Sequence, residues 1–396
     1  MFKRGSTIIM IIVLVLAFAT PALAEPPVTP YGPFLTDTQT VQIDSYHDYD
    51  QLVKALKEIE ERSKGEVKLE VIGQSNQGRD IYMAKAGHGP DNVMIITQQH
   101  GNEPHGTEAM LNMLQDIALS GKPVFKQVRE QLTVNIVLRV NPDGAILEQR
   151  YNYDPLAPNA RTYARDVLGW STNTRLDNET YGMYSSAGVG WDLNRFNFID
   201  WTTSPMYRLL GWPENPGTEA ACVAQAVATL NPKPLWFIDL HEQGNTVTPD
   251  GSMVTFALDT AHVTNDWTTD LQDPRVQESC RLLVIINDYT SQYGYATASR
   301  YSEPSAFSGR SRNQYLQELD IPGILIEMRG QYEGLGQKSG GMLIKNAYQA
   351  VYALVEATVN DTIKDVDWTR VSEIPNAISV RKDLPASPNE GAGEEE

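Results

Sequence analysis

Cysteine is nearly absent: 396 residues contain only Cys222 and Cys280. A small domain stapled by several disulfides is thereby excluded, and so is a zinc-thiolate cluster, which needs a second pair. One bridge between the two is permitted, but spacing alone does not establish it. Basic residues are also in deficit, with 32 Lys and Arg against 50 Asp and Glu for a net charge of −18. That balance argues against nucleic acid or an anionic membrane surface as a partner. Long apolar runs are missing as well. The most apolar stretch, residues 7–18, is too short and wrongly flanked to span a bilayer. No internal repeat occurs, and no linker divides the middle of the chain.

The ends read differently from the middle. Lys3 and Arg4 precede the apolar run, and Ala22-Leu23-Ala24 supplies a small-x-small cleavage pattern. Residues 1–24 are therefore expected to be a secretory signal peptide, and the protein to be secreted or periplasmic with no stable membrane insertion after its removal. Residues 25–44, rich in Pro and Thr, are expected to be extended. Residues 45–365 form one large catalytic domain, and residues 366–396, ending in Gly-Ala-Gly-Glu-Glu-Glu, a disordered acidic tail. Helical spacing of Leu52, Val53, Leu56 and Ile59 predicts a first helix. Further helices are predicted over about 105–119, 219–230, 277–292 and 345–359. Strands are expected at 67–72, 81–84, 93–97, 132–140, 235–240 and 324–326. Segments 145–215 and 245–275 show no clear period, and 306–320 reads as a polar loop or short helix.

Three of those strands share an ending. Val93 to Thr97 runs into His100-Gly101-Asn102-Glu103, Leu235 to Leu240 into His241, and Ile324 to Ile326 into Glu327. In open α/β sheets the ligand crevice lies beyond the carboxyl ends of the strands. Two histidines and two glutamates can thus converge there. Two His and one carboxylate, His100, Glu103 and His241, make a catalytic zinc set, and the other glutamate is a candidate base. The expected class is a metallohydrolase. His105 starts a helix and is expected to face outward, while His47, His88 and His262 are read as loop or surface residues.

These residues carry a resemblance. From about 45 to 360 the chain resembles a zinc carboxypeptidase of the carboxypeptidase A superfamily. The matching elements are Ile72-Gly73-x-Ser75-x-x-Gly78-Arg79, His100-x-x-Glu103, Asn141-Pro142-Asp143-Gly144, Asp192-Leu193-Asn194-Arg195, Asp239-Leu240-His241 and Glu327, in family order. The resemblance implies an α/β/α sandwich around a mixed, mainly parallel eight-stranded sheet. It implies one Zn2+ per chain on His100, Glu103 and His241, with Asp192 supporting a metal-bound histidine. It also implies that Asn194 and Arg195 hold the free C-terminal carboxylate of a peptide or peptide-like substrate. Glu327 would be the base that takes a proton from the attacking water, although a buried ion pair with Arg329 is the structural alternative.

The arginine that polarises the scissile carbonyl is expected to be Arg150, with Arg161 and Arg165 as alternatives. The substrate-contacting tyrosine is Tyr301 or Tyr315. Arg310 and Arg312 lie where relatives line the pocket for the last side chain, although solvated arginines are the plainer reading. Rival functions are an N-acyl amino acid deacylase or a cell-wall peptide hydrolase of the same superfamily, and a non-catalytic peptide-binding module.

Overall fold

The computed structural model describes residues 46–159, 163, 185–244, 246–293, 296–301, 304, 306, 308–329 and 336–379. The expected leader, the whole of the segment after it, the end of the acidic tail, Arg161 and Arg165 lie outside the described residues.

The eight-stranded sheet is built from β1 (Val67–Gln74), β2 (Asp80–Ala86), β3 (Asp91–Thr97), β4 (Leu132–Val137), β5 (Phe237–Gln243), β6 (Phe256–Thr260), β7 (Ala298–Arg300) and β8 (Gly323–Arg329), in the order β1-β2-β4-β3-β5-β8-β6-β7. Strands β4, β3, β5 and β8 run parallel to one another, so their carboxyl ends share one edge. The outer strands bring in antiparallel pairings.

Alternation along each central strand sends side chains into two layers. Val93 and Ile95 join one core cluster, while Met94 and Ile96 join the other. With both faces covered, such strands read as continuous apolar runs. The first layer is α1 (Tyr49–Ser63), α2 (His105–Leu119), α3 (Pro123–Gln131), α5 (Pro274–Ser291) and α7 (Gly336–Val359); the second holds α4 (Thr218–Thr229) and α6 (Ser311–Leu319). The result is an α/β/α sandwich. Helix α1 shows how local chemistry sets a boundary. The Asp48 side chain accepts from Gln51 N, while Gln51 reaches back to Asp48 N, a capping box that closes two otherwise open donors. Leu52, Leu56 and Ile59 are its buried face.

Two expectations change, and the question of the two cysteines is answered. Strand β6 lies inside the segment read as irregular, because a five-residue run broken by Asp259 is too short to show a period. The fold also continues past residue 365: Val371 and Ile374 are buried, and Ile378–Ser379 pairs with Thr246–Val247. The cysteines form no bridge. Cys280 is buried in the first layer and Cys222 packs against the second, so the sheet separates two free thiols.

Gly73 explains part of its motif. A Cβ there would lie 2.1 Å from Cys222 Sγ, so α4 packs on β1 only over a bare backbone. Gly73→Ala is expected to destabilise the protein by ~1–3 kcal/mol in urea unfolding, with part of the loss restored by adding Cys222→Ala. Equal stability of Gly73→Ala and wild type would contradict this packing.

Candidate active site

Short turns brace one another behind the strand ends. After β3, the bend carrying His100 and Glu103 is closed by Glu103 N donating to His100 O at 3.2 Å. Gly101 is obligatory there, since a Cβ would come within 2.0 Å of the Gly144 carbonyl carbon. Asn141 holds that contact, its Oδ1 accepting from Gly144 N at 2.8 Å and its Nδ2 donating to Gln99 O at 3.1 Å. Asp143 is held in turn by Ser75 Oγ (2.7 Å), Gln77 N (2.9 Å) and Arg79 Nη1 (2.7 Å). The Ser75–Arg79 turn, the Asn-Pro-Asp-Gly turn and the His100 bend are thus one connected scaffold.

On that scaffold His100, Glu103 and His241 come together, all buried. His100 Nδ1 lies 2.8 Å from Glu103 Oε1, His241 Nδ1 lies 2.9 Å from Glu103 Oε2, and the two Nδ1 atoms are 3.0 Å apart. The other nitrogens face carboxylates: His100 Nε2 is 3.1 Å from Asp192 Oδ1, and His241 Nε2 is 3.0 Å from Asp239 Oδ1. A histidine donating from Nε2 keeps a bare lone pair on Nδ1. With both imidazoles in that tautomer, two Nδ1 lone pairs and a carboxylate would face one point, the donor set a cation takes. The set fits zinc, whose His and carboxylate bonds are ~2.0–2.2 Å. Burial raises the Glu103 pKa, but His100 and His241 outweigh it and hold the carboxyl below its usual range. Burial lowers that of His241, yet Asp239 and Glu103 hold it well above the ordinary histidine value. The site therefore carries a field that attracts positive charge.

Glu327 faces His241 directly across the parallel β5–β8 pair. Its Oε2 is buried and has no hydrogen-bond partner among the described residues, where no ion pair to Arg329 is found either. Burial pushes its pKa up to about 7, with Glu103 adding to the rise while His241, His100 and Arg150 oppose it. Arg150 lies over the rim. Its Nε and Nη2 donate to Asp192 Oδ2 at 3.1 and 2.9 Å, and Nη1 is 3.2 Å from His100 Nδ1. Its side chain keeps 38% of its exposure. Burial raises the Asp192 pKa, but Arg150, Arg195 and His100 together keep it well below the usual value. Asn194 Oδ1 accepts from Ser311 N at 3.0 Å, and its Nδ2 is 3.3 Å from His241 Nε2. Arg195 is buried, with Nη1 donating to Asn194 O at 2.8 Å and lying 3.9 Å from Asp192 Oδ2.

Several side chains sit elsewhere than expected. His105 faces inward, between Glu242 (2.7 Å) and the Tyr46 hydroxyl (2.7 Å). His262 is buried between Asp259 (2.9 Å) and Asp270 (2.7 Å), and His47 is largely covered against Glu108, whereas His88 is exposed. Arg312 is not solvated: it is buried, donating to Asp259 and, through Nε, to Thr260 O at 2.8 Å. Tyr315 is buried with its hydroxyl on Asn197 Oδ1 (3.1 Å), while Tyr301 donates to Gln243 Oε1 at 2.8 Å. In the sequence Asp239 carried no role beyond its place in the Asp239-Leu240-His241 element, and Gln99 and Glu242 were not singled out. Glu242 N donates to Glu103 Oε2 at 3.0 Å. Asp239 had one signal, an acid two residues before His241 and so on the same strand face. Gln99 had none.

The sequence profile described as zinc carboxypeptidase matches residues 52–332. Carboxypeptidase Z of Mus musculus is 28% identical over 175 residues, 42% of this chain and 23% of that protein. Probable carboxypeptidase 2 of Trichophyton verrucosum is 39% identical over 74 residues, 17% of this chain and 14% of that protein. The chain thus spans less than a quarter of the length of these two relatives. Among solved structures, carboxypeptidase A from Helicoverpa armigera superposes with a TM-score of 0.56 at 14% identity, over 82% of this chain and 76% of that one. Thrombin activatable fibrinolysis inhibitor gives 0.55 at 14% identity, over 83% and 77%. At such identity the likeness is one of fold.

His241→Ala removes one of three protein donors, so zinc measured by atomic absorption should fall from one equivalent to near zero. The far-ultraviolet circular dichroism should be unchanged, because a domain of this size does not depend on a metal to fold. Full stoichiometric zinc in the variant would contradict the donor set.

Proposed function

The chain belongs to the zinc carboxypeptidase family, and on that premise we propose that it is a secreted metallocarboxypeptidase that hydrolyses the last peptide bond of its substrates. The observation that carries the reading is the pairing of a buried donor triangle with an unpartnered carboxylate oxygen, Glu327 Oε2, in register beside it. His100, Glu103 and His241 would hold zinc, which supplies Lewis acidity toward the scissile carbonyl and lowers the pKa of water.

The chain's own residues supply the rest. Glu327 takes the proton from the attacking water and passes it to the departing amine. Burial beside the donor triangle raises its proton affinity above that of an ordinary carboxylate, which favours taking up the proton. Arg150, fixed by two hydrogen bonds to Asp192 beside His100, holds the carbonyl oxygen as negative charge develops on it. Arg195 and Asn194 receive the substrate's terminal carboxylate, so that only the last bond is presented to Glu327. The expected leader at residues 1–24 supports export.

Two variants separate these roles. Glu327→Gln should keep zinc and KM while lowering kcat by ~10²–10⁴-fold; near-normal turnover would assign the base to another residue. Arg195→Lys keeps the charge but loses the two-pronged geometry, so KM for a peptide should rise by roughly tenfold or more. Unchanged KM would favour a deacylase or endo-acting amidase over an exopeptidase.

A further inference from the structure

Asp239 is fully buried on β5, two residues before His241 and on the same side of the sheet. Its two oxygens serve different neighbours. Oδ1 lies 3.0 Å from His241 Nε2, the nitrogen turned away from the donor triangle. Oδ2 accepts from Gln99 Nε2 at 2.6 Å and from the Ser311 hydroxyl. Both donors continue outward. Ser311 N donates to Asn194 Oδ1 at 3.0 Å, and Gln99 Oε1 accepts from Asn197 Nδ2 at 3.1 Å. Asn197 Nδ2 also meets Gly309 O at 3.0 Å, and a Cβ on Gly309 would lie 2.0 Å from Arg195 O. One carboxylate therefore joins a metal-binding imidazole to segments 193–197 and 309–311, the two that carry or abut Asn194 and Arg195.

Asp192 is arranged in the same way. One of its oxygens meets His100, and the other is bound by Arg150. Each histidine thus leans on a carboxylate whose second oxygen is committed to the substrate side of the cleft. A carboxylate that served only to satisfy a buried histidine would not need that second connection.

We propose that Asp239 is a positioning residue that sets the His241 tautomer and, through Ser311 and Gln99, fixes the carboxylate-gripping loop relative to the metal. The inference rests on the zinc reading above. Its two halves separate experimentally, because Ser311→Ala leaves the Asp239–His241 contact intact while removing the Ser311 branch of the link, the one that bears directly on Asn194.

The test uses the full chain and zinc alone, with zinc affinity measured by competition against a chromophoric chelator and KM and kcat measured on a peptide. Asp239→Asn should weaken zinc binding by ~10–100-fold in protein whose circular dichroism matches wild type. Ser311→Ala should bind zinc within about threefold of wild type yet show a raised KM with kcat largely kept. Unchanged zinc affinity in folded Asp239→Asn overturns the proposal. So does Ser311→Ala with unchanged KM, a result available even if Asp239→Asn does not fold. Wild-type chain that binds no zinc would overturn the functional reading itself; tight wild-type zinc with an unaffected Asp239→Asn would overturn this inference alone.

Discussion

His100, Glu103 and His241 present their side-chain atoms 2.8–3.0 Å apart in a buried crevice, an approach that positive charge, whether a proton or a metal ion, makes favourable. His100, Glu103 and His241 are in that position because Asp192 and Asp239 fix the outward nitrogens of both imidazoles. Turning either ring would give up a close contact with a buried carboxylate. The close approach is thus fixed by the surrounding contacts, and its geometry suits a divalent cation. Arg150, Arg195 and Glu327 lie around that centre, and the carboxylates beside the histidines also bind Arg150 and, through Ser311, connect to Asn194.

The fold serves this arrangement by aligning strand ends. Because β3, β5 and β8 are parallel neighbours, His241 and Glu327 fall in direct register and the His100 bend arrives beside them. The remaining motifs act as braces behind the crevice. Ser75, Gln77 and Arg79 clamp Asp143, whose turn supports Gly144, and Gly144 abuts Gly101 between the candidate ligands His100 and Glu103. Residues dispersed over about 70 positions thereby stiffen a single bend.

Much of this was legible in the sequence because it is local or periodic. Continuous apolar runs marked β3, β5 and β8, and the side chains at their ends pointed to one crevice. The family order of short motifs supplied the sandwich. What the sequence did not disclose is pairwise and long-range. His262 and Arg312 sit in polar stretches that read as surface, yet Asp259, Asp270 and the Thr260 carbonyl satisfy them internally. His105 begins a helix, and only the fold places Glu242 and Tyr46 against it. Strand β6 escaped because Asp259 interrupts its apolar pattern, although that interruption is the point where the buried charges meet.

The central claim is that a metal-assisted hydrolysis is confined to the last bond by recognition of a free terminal carboxylate. It is tested most directly by incubating the zinc-loaded protein with one peptide in two forms, with a free and with an amidated C-terminus, and weighing the products by mass spectrometry. The account predicts stepwise loss of single C-terminal residues from the free peptide and almost none from its amide. Equal cleavage of both forms, or cuts within the peptide, would contradict it.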